Sequence, residues 1–455
     1  FYFFRVINQR CHTQIEKVSI KVKQALHSQS QSSMEKFVIK GPSNHINGIV
    51  NVSGAKNSCL PLMASSILFK NEVFLKNVPF VNDVFTMIKL LTSLGSKIKI
   101  SIKNKTIRII NNKNHKLTVP YNLVSTMRSG ILTMGPLLGK YQKKNISVAK
   151  GGGCSLGVRD INYHLSGFQS LNAFNTLKDG YVKISSKKGL IGSKFRFPNV
   201  TVTGTANLIM AAVLAKGVSI FKNISIEPEV IDLINFLNKS GAKIKFMGKR
   251  TIKIVGVKEF LNGEHEIIGD RIEAFSYLCV GAISKGKVTV NNIDPKFLNS
   301  ELIALKKIGF IIDTKGKSIS LNCKKKLKPI NFKTGPFPKF ATDNMPALMA
   351  VLSKIPGKSI VEETIFSNRF MAAPELCRMG ANIKIKKNNA IIIGQKFFNG
   401  ADCISSDLRT TFAIILGALS SNGKSEIQRV YHGLRGYYRL VFKLRKLGVN
   451  IKSVV

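Results

Sequence analysis

The chain has 455 residues, 44% of them hydrophobic, and its longest apolar runs are far shorter than the roughly 20 residues that a membrane-spanning helix needs. This length predicts two or three domains with separate cores. Lys and Arg total 70 against 24 Asp and Glu, a formal charge of +46, so polyanions of any kind are admissible partners. Most of the excess positive charge comes from lysines that are interspersed with Ile and Asn. This pattern favours a solvated basic surface over a nucleic-acid-binding surface.

The seven cysteines form no CxxC pair, which is typical of free thiols in a reducing compartment. Residues 1–33 form a basic extension rich in Ser and Gln. This extension is either a transit-type presequence or translated sequence upstream of a start at Met34. We favour the second interpretation and leave the extension out of the fold prediction.

From Met34 onward, two sequence patterns recur with a period of roughly 70 residues. The first is an apolar helix end, a Gly or Asn and then a strand, as in "FLNKSGAKIKF" and "KLRKLGVNIKS"; its weakest copy has Asn172 in the glycine place. The second is a helix end, a Lys-containing turn and a strand, as in "VLAKGVSIFKNI". Together they predict six units of strand, helix, strand, helix, strand, strand. Three units per domain make two similar α/β domains, with a ligand cleft between them.

Within the first unit, the segment after "SGAKN" has apolar residues at helical spacing, which predicts a helix with one face inward. These residues are Leu60, Met63, Ala64, Ile67 and Leu68. Farther on, the alternation in "KIKISIKNKTIRII" predicts a β-hairpin.

Charged residues stand at several predicted helix starts, where backbone N–H groups already favour anions. They are Lys56, Arg128, Asp343, Arg409 and Arg435. Each one alone is typical of an ordinary surface charge. As a set recurring across the repeats, they predict a polyanion site at the cleft.

Cys154 follows three glycines in "GGGCSLGVRD". A lone cysteine is most often a small buried side chain. The glycines instead indicate a flexible backbone, and nearby Lys150 and Arg159 would stabilise a thiolate.

Ten motifs, among them "SGAKNSCLPLMA", "GGGCSLGVR", "FATDNMP", "SDLRTT" and "YHGLRGYYRLVFKLRKLGVNI", occur in order from Met34 to the C-terminus. Together they resemble the UDP-N-acetylglucosamine 1-carboxyvinyltransferases, the enolpyruvyl transferases that open peptidoglycan precursor synthesis. The resemblance implies two inside-out α/β barrels of three repeats each. It also implies a split first domain, residues 34–55 plus 269–455, and a second domain, residues 56–268, that carries the cysteine loop.

The reaction implied by the resemblance joins phosphoenolpyruvate to the 3'-hydroxyl of the sugar and releases phosphate through a tetrahedral intermediate. By the same resemblance, Cys154 is the general acid that protonates the methylene carbon, and Asp343 takes the proton from the hydroxyl. Addition across an enol double bond requires such an acid and base. No cofactor or metal is implied.

The resemblance also assigns binding residues. Those for phosphoenolpyruvate are Lys56, Asn57, Arg159, Arg409 and Arg435. Those for the nucleotide sugar are Asn57, Arg128, Arg159, Asp160, Ile161, Asn162, Tyr163, Val202, Thr203, Gly204, Asp343 and Ile365. Arg369 and Asp407 fall at further positions near the site.

Six residues depart from the family pattern: Gly151, Asp160, Asn162, Ala206, Leu434 and Tyr438. Asp160 and Asn162 bear on uridine binding, where we expect the largest difference from the family. Because the acid, the base and the phosphate-binding cations are retained, we expect an active enzyme.

Two alternatives compete with this interpretation. A 3-phosphoshikimate 1-carboxyvinyltransferase shares the fold and phosphoenolpyruvate but lacks the cysteine loop. A basic nucleic-acid-binding protein would account for the charge and would bind DNA or RNA with strong salt dependence. We favour a cytoplasmic monomer that acts on small molecules, with no nucleic-acid partner and no membrane insertion.

Overall fold

The computed structural model describes residues 35–112, 114–125, 127–149, 161–323 and 326–455. The predictions for Cys154, Arg159 and Asp160, and for residues 1–33, concern positions outside these ranges, as does the Arg128 side chain.

The first strand is β1 (Lys36–Gly41), and the first three units follow it. Unit 1 comprises β2 (Asn47–Asn51), α1 (Lys56–Ser65), β3 (Phe69–Lys76), α2 (Asn82–Ser93), β4 (Lys97–Ser101) and β5 (Thr106–Ile110). Unit 2 comprises β6 (Thr118–Val119), α3 (Tyr121–Val124), α4 (Met134–Lys140), β7 (Ile146–Ala149), α5 (Asn162–Ser170), β8 (Phe174–Lys178) and β9 (Tyr181–Ser185). Unit 3 comprises β10 (Lys194–Arg196), α6 (Val202–Ala212), β11 (Val218–Lys222), α7 (Pro228–Lys239), β12 (Lys243–Gly248) and β13 (Thr251–Val255).

The second half of the chain repeats the same order. Unit 4 comprises β14 (Phe260–Glu266), α8 (Arg271–Ile283), β15 (Lys287–Asn291), α9 (Asn299–Ile308), β16 (Ile311–Lys315) and β17 (Ser318–Asn322). Unit 5 comprises β18 (Phe332–Lys333), α10 (Met345–Leu352), β19 (Lys358–Glu362), α11 (Ala372–Arg378), β20 (Asn382–Lys386) and β21 (Asn389–Ile393). Unit 6 comprises β22 (Phe398–Asn399), β23 (Asp402–Ile404), α12 (Leu408–Leu419), β24 (Ser421–Gln428), α13 (Tyr431–Leu434), α14 (Leu440–Lys446) and β25 (Ile451–Val454). Short 3-10 helices occupy Ser66–Leu68, Arg128–Thr133, Pro295–Leu298, Thr342–Asn344 and Arg369–Met371.

The predicted helix ends are confirmed in all six units, because the residue at each carries a positive φ, the left-handed conformation that ends a helix. These residues and their φ angles are Gly95 (109°), Asn172 (68°), Gly241 (109°), Gly309 (119°), Gly380 (105°) and Gly448 (88°). The predicted hairpin is also confirmed, since β4 and β5 pair antiparallel.

The six sheets share one pattern, in which the first strand of a unit runs parallel to the second and the remaining pairings are antiparallel. Units 1 and 4 exchange their first strands. β14 pairs with β3 in unit 1, and β2 pairs with β15 in unit 4, both in parallel. β1 lies between β24 and β25 and so supplies the last strand of unit 6. The molecule therefore has two halves, the sheets of units 1–3 and those of units 4–6 with the helices they cover. The chain passes between these halves at the exchanged strands.

The helices lie inside and the sheets outside, which confirms the expected inside-out α/β arrangement. Every residue of α8 and of α10 is buried. The prediction that α1 turns only one face inward is wrong, because residues 58–65 are buried on all sides, and Ile67 and Leu68 belong to the 3-10 turn. An interior helix has no solvent face, so its apolar spacing marks only part of what it buries.

Buried apolar side chains form two separate cores. The first core draws on residues 37–52 and 274–451, and the second on residues 59–267. This separation supports the proposed division into domains at residues 55/56 and 268/269. In the described part of the chain, no helix is long and apolar enough to span a membrane.

Candidate active site

A cleft of about 1630 Å³ opens between the two cores and is lined by residues from both. Many of the residues assigned from the motifs line it: Lys56, Asn57, Tyr163, Val202, Thr203, Asp343, Ile365, Arg369, Asp407, Arg409 and Arg435. Three others do not line it. Ile161 packs against the second core, Asn162 is exposed at the start of α5, and Gly204 is buried in the first turn of α6.

Asp83, in the first turn of α2, holds two of the predicted cations together. Its carboxylate accepts hydrogen bonds from Lys56 Nζ at 3.0 Å and from Arg435 Nε at 2.9 Å. Burial by itself would raise the pKa of Asp83, but Lys56 and Arg435 outweigh burial and lower that pKa below its usual value. Asp83 is therefore a charged anchor for both cations, and the sequence interpretation missed it.

Asp343 lies between two arginines, Arg369 and Arg409, which belong to the same half of the molecule. Arg369 Nη2 donates to one carboxylate oxygen, and Arg409 donates to the other from Nε at 3.1 Å and Nη2 at 2.9 Å. Arg369 is only 2% exposed and is oriented by a bond from its Nε to the Thr342 carbonyl at 3.0 Å. Burial lowers the pKa of Arg409, but Asp343 and Tyr437 raise it above its usual range. Arg409 therefore stays charged.

Asp407 positions Arg409 from the start of α12. As the N-cap residue, it accepts the backbone N–H groups of Arg409 at 2.8 Å and of Thr410 at 3.1 Å. Such a cap satisfies donors that a helix start leaves unpaired. The prediction that Arg409 stands at a helix start is thus confirmed.

The prediction that Arg435 begins a helix is wrong. Arg435 ends the one-turn helix α13, and α14 starts five residues later at Leu440. Arg439, between them, has a φ of 53°, a left-handed conformation that interrupts helical winding.

The start of α1 sits where the chain passes between the cores. Gly54 and Gly269 form a bridge between the two passing segments, and Lys56 N donates to Asp270 Oδ2 at 3.3 Å. Asp270 also caps α8, accepting the Ile272 N–H at 2.9 Å. Lys56 is thereby fixed at the junction of both halves.

A second charged pair also lines the cleft. Arg271 Nε donates to Glu229 Oε1 at 3.0 Å, and both side chains are buried. Burial raises the pKa of Glu229 despite the attraction of Arg271. Beside them, Glu227 accepts the backbone N–H of Phe337 from the other half at 3.2 Å. These contacts join the two halves and were also missed from the sequence.

Three of the residues that depart from the family pattern, Ala206, Leu434 and Tyr438, differ in their burial and packing. Ala206 is buried and lines the cleft. Leu434 packs against the first core, whereas Tyr438, four residues on, packs against the second. Tyr438 therefore adds an apolar contact between the halves. In the described ranges, no group of His, Cys, Asp and Glu could hold a metal ion.

This fold corresponds to that of the enolpyruvyl transferases. The family model "EPSP synthase (3-phosphoshikimate 1-carboxyvinyltransferase)" matches residues 40–444, and the chain belongs to this family. Among solved structures, the enolpyruvyl transferase NikO from Streptomyces tendae superposes with a TM-score of 0.83 at 19% identity, covering 93% of this chain and 99% of that one. The EPSP synthase from Acinetobacter baumannii superposes with a TM-score of 0.74 at 18% identity, covering 92% and 100%.

Two curated relatives indicate the particular enzyme of this family to which the chain is similar. The chain is 42% identical to the UDP-N-acetylglucosamine 1-carboxyvinyltransferase of Pelagibacter ubique (strain HTCC1062), over 92% of this chain and 100% of the relative. It is 41% identical to the same enzyme of Psychrobacter sp. (strain PRwf-1), over 92% and 97%. The resemblance inferred from the motifs is thus confirmed.

Proposed function

We propose that the protein transfers the enolpyruvyl group of phosphoenolpyruvate to the 3'-hydroxyl of UDP-N-acetylglucosamine and releases phosphate. The observation that carries this proposal is the 42% identity to an enzyme of that name along its whole length. The cleft supports it, because the three cations Lys56, Arg409 and Arg435 all line it. Both substrates are polyanions that such cations stabilise.

In the proposed first step, the 3'-oxygen bonds to C2 of phosphoenolpyruvate while C3 gains a proton. Asp343 accepts the proton of the hydroxyl, and Cys154 supplies the proton to C3. In the second step C3 loses a proton, the C2–O bond to phosphate breaks, and the enol double bond forms again. Lys56, Arg409 and Arg435, with Arg159, would hold the phosphate and carboxylate of the tetrahedral intermediate.

The nucleotide sugar would lie along the second core. Tyr163 and the start of α6 line that side of the cleft, and Ile365 faces them from the first core. Tyr163 accepts a hydrogen bond from Asn199 Nδ2 at 2.7 Å, which fixes its ring at the wall. The full proposed set is Asn57, Arg128, Arg159, Asp160, Ile161, Asn162, Tyr163, Val202, Thr203, Gly204, Asp343 and Ile365.

Asp343 and the cysteine loop belong to different halves of the proposed division, so acid and base meet only when the halves close on the substrates. Closure would exclude water from the intermediate. In the cell this reaction would be the first committed step of peptidoglycan synthesis, in the cytoplasm, and would contribute to cell shape and division. Its thiol would be the target of fosfomycin.

The test is phosphate release by the purified protein. We expect release only when phosphoenolpyruvate and UDP-N-acetylglucosamine are both present, and none when shikimate 3-phosphate replaces the nucleotide sugar. Release with shikimate 3-phosphate alone as acceptor would favour the sister activity. Salt-dependent binding of DNA or RNA without phosphate release would favour the nucleic-acid-binding alternative.

A further inference from the structure

Asn207 is a buried amide on α6 whose orientation is fixed by backbone groups on both sides. Its Oδ1 accepts the Gly135 N–H at 2.8 Å, and its Nδ2 donates to the Ile131 carbonyl at 2.8 Å. Exchanging the amide oxygen and nitrogen would place donor against donor and acceptor against acceptor. Nδ2 therefore has one hydrogen left to donate.

That hydrogen points to His164, which is 4% exposed on α5. The distance from Asn207 Nδ2 to His164 Nδ1 is 2.9 Å. Because Nδ2 can only donate, Nδ1 must accept and carries no proton. A neutral imidazole with a bare Nδ1 has its proton on Nε2.

The protonated Nε2 lies 3.3 Å from the Thr203 hydroxyl oxygen, in the first turn of α6. Thr203 Oγ1 must accept this bond, so its own hydrogen is turned away from His164. Both residues line the cleft, and Thr203 is only half-buried. The backbone of Gly135 and Ile131 thus determines, through two side chains, the direction of a hydroxyl at the cleft wall.

We propose that His164 is a positioning residue that makes Thr203 a hydrogen-bond donor toward an acceptor oxygen of the nucleotide sugar. The inference rests on the proposed function, which places Thr203 among the nucleotide-sugar contacts. Phosphate oxygens only accept, so a hydroxyl held as a donor binds them without rotating first. A hydroxyl free to turn would lose part of that advantage.

The two amide replacements of His164 separate this role from a structural one. His164→Gln places an amide nitrogen near the position of Nε2 and keeps a donor for Thr203. His164→Asn places an amide oxygen near the position of Nδ1 and keeps only the acceptor for Asn207. We expect the Asn variant to raise the KM for UDP-N-acetylglucosamine about threefold, roughly the cost of fixing one freely turning side-chain group, because the Thr203 hydroxyl remains but is no longer held as a donor. The Gln variant should raise it much less, and the KM for phosphoenolpyruvate should hardly change in either.

Thr203 supplies the second half of the experiment. Thr203→Val keeps the shape of the side chain and removes the hydroxyl, so it should raise the same KM about tenfold or more, whereas Thr203→Ser should retain the wild-type value. In the Thr203→Val background, the Gln and Asn variants of His164 should no longer differ. His115→Gln, in a buried network that does not line the cleft, is the control for a general loss of packing.

The outcomes distinguish this inference from the function on which it rests. If the wild-type protein turns over both substrates but His164→Asn performs as well as His164→Gln, the positioning role is wrong and the function stands. If the Gln–Asn difference persists in the Thr203→Val background, His164 acts on the ligand directly and the inference also fails. If the wild-type protein neither turns over nor binds UDP-N-acetylglucosamine in calorimetry, both proposals fall.

Discussion

Asp83 accepts a hydrogen bond from Arg435 at 2.9 Å although 352 positions separate them in the chain and they lie beside different cores. Lys56, at the junction of the two halves, donates to the same carboxylate at 3.0 Å. One buried acid thus sets the spacing of two cations that we propose bind phosphoenolpyruvate.

Replacing Asp83 by Asn should therefore damage activity and stability together. The variant leaves Lys56 and Arg435 close together without the anchoring charge, and a misplaced binding group can cost about 100-fold in rate. We expect kcat/KM for phosphoenolpyruvate to fall by about that factor. The free energy of unfolding should fall by about 3 kcal/mol, as when a buried ion pair is broken. Steady-state kinetics and urea unfolding measure the two effects.

Asp313→Asn is the matched control, because Asp313 is an exposed acid on β16. It should leave both quantities within error of the wild type. An Asp83→Asn protein with an unchanged kcat/KM for phosphoenolpyruvate would contradict the anchoring role.

Much of this arrangement could be predicted from the sequence, because the signals are local. The helix-end residues, including Asn172 in the glycine place, mark six units, and Lys56 and Arg409 do stand at helix starts. The repeats alone do not predict the exchange of β2 and β14, since repeated units offer equivalent sheets to either strand. Only the resemblance, which implies a split first domain, indicates it. Asp83 was missed because an acid in a first helical turn is favourable in any helix. Its partner Arg435 comes close only through the tertiary fold.

The thiol pKa values of the other cysteines in the described ranges favour a selective reaction of fosfomycin with Cys154. Burial raises the pKa of the thiols of Cys59, Cys279, Cys323 and Cys403, the last to about 12. These thiols should be unreactive at neutral pH, since the thiolate is the nucleophile. We expect fosfomycin to add once, at Cys154, as read by mass spectrometry of peptides. Cys154→Asp should lose the adduct while retaining an acid for catalysis.

Cys377 is an internal control, because it is exposed. Iodoacetamide should label Cys377, whereas fosfomycin should not. A fosfomycin adduct on Cys377, or none on Cys154, would contradict the proposed role of the cysteine loop.

His115 should make the protein less stable in mild acid. Burial, assisted by Lys140, lowers the pKa of His115 from 6.5 to about 4. Because the unfolded chain takes up this proton near pH 6.5 and the folded protein does not until about pH 4, unfolding is favoured as pH falls through that interval. One such group contributes up to about 1.4 kcal/mol per pH unit. His115→Gln, compared with wild type by urea unfolding at several pH values, should remove that part of the slope. An identical slope in the variant would show that other groups are responsible.

We expect the Ser58 side chain to contribute more to stability, and to the position of Lys56, than its neighbours on α1. No side chain caps this helix at Ala55. Instead, the buried Ser58 hydroxyl donates to Asp232, which also accepts a hydrogen bond from His265 Nε2 at 2.7 Å. Ser58→Ala would leave a buried carboxylate short of a donor, at a cost of about 1–3 kcal/mol. It would also loosen the helix start that carries Lys56.

Ser65 offers the comparison, since it is equally buried on the same helix but donates only to the Leu62 carbonyl at 2.8 Å. Ser65→Ala leaves that carbonyl within its helix and should cost less than 1 kcal/mol, roughly the net value of one neutral hydrogen bond. Only Ser58→Ala should raise the KM for phosphoenolpyruvate, because only Ser58 ties the first turn of α1 to α7 through Asp232. If the two variants lose equal stability and keep the same KM, the hydroxyl of Ser58 contributes packing alone, and Lys56 depends on Asp83 and Asp270 for its position.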